Sequence, residues 1–325
     1  MHCELVVPGL FAARSATRLP CAELLIARGR CTASEARSLE AWLHDAFELG
    51  EEPLACGALT LLGGGGEPEG YSWSRADPVH LQLMRDRVLL VPAAALQITQ
   101  HEAAALTDAL NRHFGARLAV QAVDAERWVA KLPHELAIDT EAPLALAGRD
   151  VPLGLPAPEL INEAQMLLHS HPLNEAREAR GALPVNSLWL WGAGRAPQVN
   201  ARPWHSVSAA DPVVLGLARA AGIRHRALAS DGADWLARTP QEGRHLLVLD
   251  GLRAPLALSD EESYRDKLAA LEREWFAPLL AALRGAHIGM VTIHVPDAAE
   301  CAAYETIRGD LRRFWRRPKA LEHYA

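Results

Sequence analysis

The stretch SLWLWGAG, residues 187–194, decides the fold. Leu and Trp fill every position from 188 to 191, so no alternation leaves one face polar. A strand covered on both faces, in the middle of a parallel sheet, is the reading. HLLVL (245–249) and IGMVTIHV (288–295) show the same two-sided apolar character. Helical segments separate these runs. One starts near Ser208 with Asp211 three residues on; another starts at Ser259, where Glu262 completes a capping box ahead of Tyr264, Leu268, Leu271 and Trp275. Strands alternating with helices predict an α/β fold with a mostly parallel sheet covered by helices.

Working back toward the start, Leu5–Val7 reads as a short strand closed by Pro8 and Gly9. Leu39, Trp42, Leu43, Ala46 and Phe47 recur with helical spacing. GGGGEPEG, residues 63–70, has linker composition and sets a boundary. Beyond it, Val79–Leu83 and Val88–Val91 read as paired strands. Thr99 and Glu102 cap a helix bearing Ala103, Leu106, Leu110 and Phe114 and stopped by Gly115, and RLAVQAV and RWVAKL add two strands. The proline-rich GRDVPLGLPAPE, residues 148–159, closes the passage. The expected organisation is a core of residues 1–62 and 159–325 interrupted by a smaller α+β domain at 63–158.

Composition limits the function classes. Of 325 residues, 50% are apolar and the net charge is −7, so a full core is available and no broad basic face attracts nucleic acid or anionic lipid. No nucleic-acid and no membrane partner is expected. The start, MHCELVVPGLF, lacks a signal peptide's basic and apolar regions, and no window offers eighteen uncharged apolar residues. A cytoplasmic protein follows. Cys3, Cys21, Cys31, Cys56 and Cys301 are scattered and odd in number, which reads as reduced thiols rather than a disulfide framework or zinc knuckle.

Ligands of α/β sheets gather beyond the carboxyl ends of strands. Gly192 and Gly194, with Arg195 or Arg202, suit an anion-binding nest; a plain structural turn is the other reading. Asn162, Glu163, Asn174, Glu175, Arg177, Arg180 and Asn186 form a dense polar cluster that either lines a pocket for a small anion or ties a helix to its neighbours. His169 and His171 point to different sides of a helix that Pro172 ends, so His169 suits a helix terminus better than a metal. Thr32, Ser34 and Ser38 precede a helix, where capping alone explains a Ser or Thr and a nucleophile is the alternative. RGDLRRFWRRPK, residues 308–319, is expected to form a final helix that docks Leu311, Phe314 and Trp315 and leaves its arginines solvated.

In this order, VVPGLF, SRADPVHLQLMRDR, INEAQMLLHSHPLNEAREARG and PVNSLWLWGAG resemble RpfE-type regulatory proteins of bacteria along essentially the whole chain. More remotely, the passage through WLWG and the run HLLVLDGLRAP followed by YRDKLAALEREWFAPLL are similar to archaeal-type cofactor-independent phosphoglycerate mutases of the alkaline phosphatase superfamily. That likeness implies a core interrupted by a cap domain. It also implies two divalent metals held by Asp and His at strand ends, activating a Ser or Thr that accepts the phosphoryl group. This chain departs from the pattern. Pro8-Gly9 stands for Asp-Gly, Ile293-His294 for Asp-His, Trp191 for an Arg, and the segment LALSDEESYRD after DGLRAP carries no His. Only Asp250 and His294 remain near the expected centre, with Thr32 and Ser34 as weak nucleophile candidates. Neither metal nor other cofactor is therefore expected. The expectation is a catalytically degenerate, regulatory or ligand-sensing protein, with Arg195, Arg202 and Arg253 as anion contacts. An active phosphomutase or phosphatase, and a module for a regulatory protein partner, are the alternatives.

Overall fold

The computed structural model describes residues 1–325 except 13–16, 34, 86, 133–137, 152–155, 299–302 and 325. The chain divides into two compact units, Met1–Gly50 with Val199–Ala325, and Glu51–Gln198. The first unit opens with β1 (His2–Val6), α1 (Pro20–Arg28), β2 (Arg30–Thr32) and α2 (Leu39–Ala46). The second contains α3 (Cys56–Gly63), β3 (Trp73–Leu83), β4 (Val88–Pro92), α4 (Ala93–Leu96), α5 (Gln100–Phe114), β5 (Ala119–Ala122), β6 (Trp128–Lys131), β7 (Asp150–Val151), α6 (Pro158–His169), α7 (Pro172–Ala179) and β8 (Ser187–Gly194). The first unit then resumes with β9 (Ser206–Ala209), α8 (Pro212–Ala220), β10 (Arg224–Ala227), α9 (Gly232–Arg238), β11 (Arg244–Val248), α10 (Arg253–Ala257), α11 (Glu261–Leu271), α12 (Ala277–Arg284), β12 (Met290–His294) and β13 (Ala303–Ile307).

The fold is mixed α/β. The first unit holds a seven-stranded sheet in the order β10-β9-β11-β1-β12-β13-β2. Its five strands from β10 to β12 run parallel, and β13 is antiparallel to both neighbours. One face carries Cys3, Leu5, Leu247, Val291 and Ile293 into a core with Leu25, Ile26, Leu268, Leu279 and Leu283. A π turn over Glu272–Phe276 joins α11 to α12, where Pro278 lacks the N–H that a regular ladder needs. It also places Glu272, whose carboxylate accepts from the Cys21 and Ala22 N–H groups (2.6 and 3.2 Å) and caps α1 where Leu19 has no side-chain acceptor.

Several expectations are corrected. SLWLW does not lie in the parallel sheet: β8 runs antiparallel along β3 in the second unit, with α3 and α6 packed against it. Apolar cover on both faces of an antiparallel strand gives the same two-sided apolar pattern. Because α3 and β8 belong together, the division falls after Gly50 and after Gln198, not at Gly63 and residue 158. Gly63–Gly70 is the turn from α3 into β3, within that unit. Ser208 lies in strand β9, and α8 begins at Pro212 with Asp211 as its cap. Asp260, not Ser259, caps α11. The capping box of Thr99 and Glu102 on α5 forms as read. Residues 308–312 form a 3-10 turn, and Phe314 and Trp315 are exposed rather than docked. Cys3, Cys21 and Cys56 are free thiols, whereas Cys31 is disulfide-bonded, against the reading of all five as reduced.

Candidate functional site

Parallel register aligns Ala209, Val248, Val6, His294, Ala303 and Thr32 in one row at the end of the first unit's sheet. Thr32 is thus two strands from His294, about 10 Å at ordinary strand spacing. Ser34 lies outside the described residues.

Beyond that row the chain after β1 is closed by its own groups. The Gly9 N–H donates to both oxygens of Asp297 (3.0 and 2.9 Å), and the Tyr264 hydroxyl donates to the Gly9 carbonyl at 2.7 Å. Burial, with Asp297 nearby, pushes the Tyr264 phenol up, so it remains a donor. Gly9 adopts a φ of +81°, and a Cβ there would stand 2.4 Å from Leu256 Cδ1. No larger residue enters this turn without displacing Leu256.

The carboxylates of the neighbouring strand ends surround a built-in cation. Arg253, at the start of α10, pairs with Glu40 of α2 at 2.5 Å, and Asp211 and Asp250 add to the negative field around it. Burial works against the guanidinium's charge, but these three acids hold its pKa above the ordinary value. Burial likewise opposes Glu40, whose pKa Arg253 and local hydrogen bonds bring below the ordinary value. Asp211 also accepts the Val213 N–H as the cap of α8.

Period-two geometry puts His2 and Glu4 on one face of β1, beside Arg244 of β11 and Thr292 and His294 of β12. Glu4 is buried. Its carboxylate lies 2.7 Å from Arg244 Nε, 3.5 Å from His2 Nδ1 and 3.6 Å from His294 Nε2, while His2 Nε2 pairs with Thr292 Oγ1 at 2.8 Å. Burial raises the Glu4 pKa, but its charged surroundings, His294 and Arg244 foremost, bring it down to about 2. Burial foremost lowers the pKa of His2. Trp42 tilts over His294 with ring centres 5.2 Å apart and stacks on Trp204 at 6.2 Å. His294 Nε2 and Trp204 Nε1 are buried and reach no acceptor at hydrogen-bonding distance. Except for His294, the sequence reading missed this cluster. Its signal was present, since His2 and Glu4 alternate with apolar residues in HCELV.

At the opposite, amino ends of the strands, Ser206 Oγ meets His245 Nδ1 at 2.8 Å, and His245 Nε2 meets the Glu242 carbonyl at 2.7 Å. Both side chains are buried, so the pair braces β9 against β11 and presents no open nucleophile.

In the second unit the predicted cluster is tied into the fold. Asn174 donates to the Leu168 and Val185 carbonyls, both at 2.8 Å, and accepts from the Val185 N–H. Arg177 donates to the Leu183 carbonyl, to Glu102 and to the Leu96 carbonyl at 2.9, 3.0 and 2.5 Å. Asn186 exchanges two hydrogen bonds with the Leu81 backbone. Glu163 pairs with His113 and Arg117, and Arg180 reaches Glu102. Gly192 (φ +56°) lies against α3, where a Cβ would come 2.7 Å from that of Cys56, and Ala55 is equally close to Gly194. Asn162, His169 and Arg195 sit on the exposed surface, as does Arg202 of the first unit. His171, not His169, makes the terminal contact: its Nδ1 accepts the Leu173 N–H at 3.2 Å and caps α7. The proton of the neutral ring must then sit on Nε2. A cavity of about 560 Å³ lies here, lined by Arg112, His113, Ser170 and His171 over Ala109, Leu167 and Pro172.

No family model matches the chain. It is similar to a probable 2,3-bisphosphoglycerate-independent phosphoglycerate mutase of Geobacter sulfurreducens, 34% identical over 104 residues, which is 30% of this chain and 25% of that protein. A 2,3-bisphosphoglycerate-independent phosphoglycerate mutase of Methanosarcina mazei is 30% identical over 130 residues, 35% of this chain and 32% of that protein. The chain thus aligns with a quarter to a third of the length of these relatives. In three dimensions the PH0037 protein from Pyrococcus horikoshii superposes with a TM-score of 0.61 at 16% identity, covering 94% of this chain and 86% of that one. This is a mixed α/β protein of a known fold. Its scaffold is remotely similar to the cofactor-independent phosphoglycerate mutases.

The two divalent metals implied by that likeness do not fit the donors described. Among the described residues no group of three or more His, Cys, Asp or Glu side chains is arranged to hold a metal ion. Asp297 holds the Gly9 turn, and Glu40 is paired with Arg253.

Proposed function

We propose that this chain is a catalytically degenerate relative of the phosphoglycerate mutases that works as a regulatory or ligand-sensing protein in the cytoplasm. One observation carries the reading: where carboxylates gather at the strand ends, the cation among them is the guanidinium of Arg253. A fixed internal cation pairs with Glu40 and offsets part of the charge of Asp211 and Asp250, but it does not supply a metal's ability to polarise a transferring phosphoryl group. The likeness of the long central passage to RpfE-type regulators supports a regulatory role.

The ligand class is a small phosphorylated or carboxylated acid. Arg112 and the Nε2–H of His171 supply a charge and a neutral donor to the second unit's cavity, which has an apolar floor. Arg195 is a further candidate contact in this unit from the sequence. Thermal unfolding with 3-phosphoglycerate and phosphoenolpyruvate tests this. The melting temperature should rise with either acid in the parent protein and not in Arg112→Ala; no rise with any three-carbon phospho-acid sinks the sensing role.

The names of the similar proteins favour a second reading, an active mutase. Conversion of 3- to 2-phosphoglycerate with added manganese, or about two equivalents of manganese or zinc in protein purified without chelator, would establish it.

A further inference from the structure

Between Ile307 and Lys319 the chain carries six basic residues and one acidic residue, although its net charge is −7. The segment is firmly anchored to the end of α1. The Arg28 guanidinium donates to the Leu311 carbonyl, Arg313 Nη1 to the Arg28 carbonyl at 3.2 Å, and Arg316 Nη1 to the Gly29 carbonyl at 2.7 Å. Two of these arginines therefore serve the open carbonyls at a helix C-terminus, where positive charge is favourable. Phe314 and Trp315 are held outward as a result, 76% and 66% exposed. They touch each other edge to face, with ring centres 5.3 Å apart. Ile307, at the end of β13, is also exposed. Asp310 is engaged by Arg313 at 2.8 Å, whereas Arg308, Arg312, Arg317 and Lys319 face no carboxylate among the described residues.

We propose that this face docks on an anionic phospholipid surface, with Phe314 and Trp315 at headgroup depth and the four uncommitted cations against lipid phosphates. Projecting aromatic side chains suit a deformable bilayer interface, which closes around them; a folded or peptide partner would need a groove to share. Nucleic acid fits less well. Stacking successive bases needs free ring faces, and these two rings lie against one another at 82°. Each basic residue near an anionic leaflet strengthens binding about fivefold, and the prior anchoring leaves little order to impose on contact. The rest of the chain, being net acidic, is repelled by the same surface and so fixes the orientation.

Co-sedimentation of the full chain with phosphatidylcholine vesicles, with and without phosphatidylglycerol, tests the proposal at low and high salt. Binding should require phosphatidylglycerol and fall steeply as salt shortens the screening length. Arg312→Glu with Arg317→Glu should weaken it about a hundredfold or more, and Phe314→Ala with Trp315→Ala about tenfold. Arg313 and Arg316 are left intact because they anchor the segment, and unchanged melting curves show that the variants fold. Absence of binding, equal binding to both vesicles, or capture of a single-stranded oligonucleotide without vesicle binding overturns the proposal. So does concentration-dependent self-association abolished by the aromatic pair's removal without any lipid effect.

Discussion

Arg177 in the second unit and Glu4 in the first are both charged and both buried, yet their surroundings differ. Arg177 is engaged at every nitrogen, with one carboxylate and two carbonyls meeting the three. Glu4 has one close partner and two histidines at 3.5 and 3.6 Å, while His294 Nε2 and Trp204 Nε1 beside it complete no hydrogen bond. A network engaged at every nitrogen is a strut, because each missing member leaves the others desolvated and unpaired. An open network retains hydrogen-bonding capacity and stores less stability. Density of polar residues in a sequence does not distinguish the two; completeness of their pairing does.

Substitutions sharpen this contrast. Arg177→Ala should cost about 4 kcal/mol in denaturant unfolding, since Glu102 and two carbonyls lose a buried partner. A loss below about 1 kcal/mol would show that the network is not a strut. Asn174→Ala should follow at about 3 kcal/mol, from three hydrogen bonds that water cannot replace. Glu4→Gln should cost on the order of 2 kcal/mol at neutral pH, with a pH signature. The folded pKa of Glu4 lies near 2, below its ordinary 4.5. Its ionic stabilisation is therefore complete above about 4.5 and disappears as pH falls toward 2. The difference between parent and variant stability should shrink across that window, and a pH-independent difference would place the effect in packing. Ser208→Ala should change stability least, by under about 1 kcal/mol and toward stabilisation, because the buried hydroxyl has no partner among the described residues.

Much of the architecture was legible where local chemistry is decisive. Thr99 and Glu102 announced the start of α5, and the apolar runs marked β11 and β12. Strand partnership was not legible. Residues 188–191 are apolar because Leu188 and Leu190 pack with α6 while Trp189 packs with Val79, Leu90 and Val151, and double cover does not reveal whether the neighbouring strand runs parallel. SVSA and RHRA formed β9 and β10 despite polar residues, because pairing with adjacent strands outweighs local propensity. At the candidate site, Asp250, His294 and Arg253 were visible as strand-end residues. The role of Arg253 as counter-ion to Glu40 was not, since those side chains are 213 positions apart. Near the C-terminus, arginines bond to α1 carbonyls while the aromatics project, the reverse of the amphipathic expectation.

The sheet order has a kinetic consequence. β1 occupies residues 2–6 and is sandwiched between β11 and β12, which arrive at 244–248 and 290–294. On a ribosome the strand therefore emerges on the order of half a minute before either neighbour exists. The second unit, one uninterrupted segment, can condense during that interval. Completion of the seven-stranded sheet is then the slow, chaperone-exposed stage of biogenesis, limited by closure of loops more than 200 residues long.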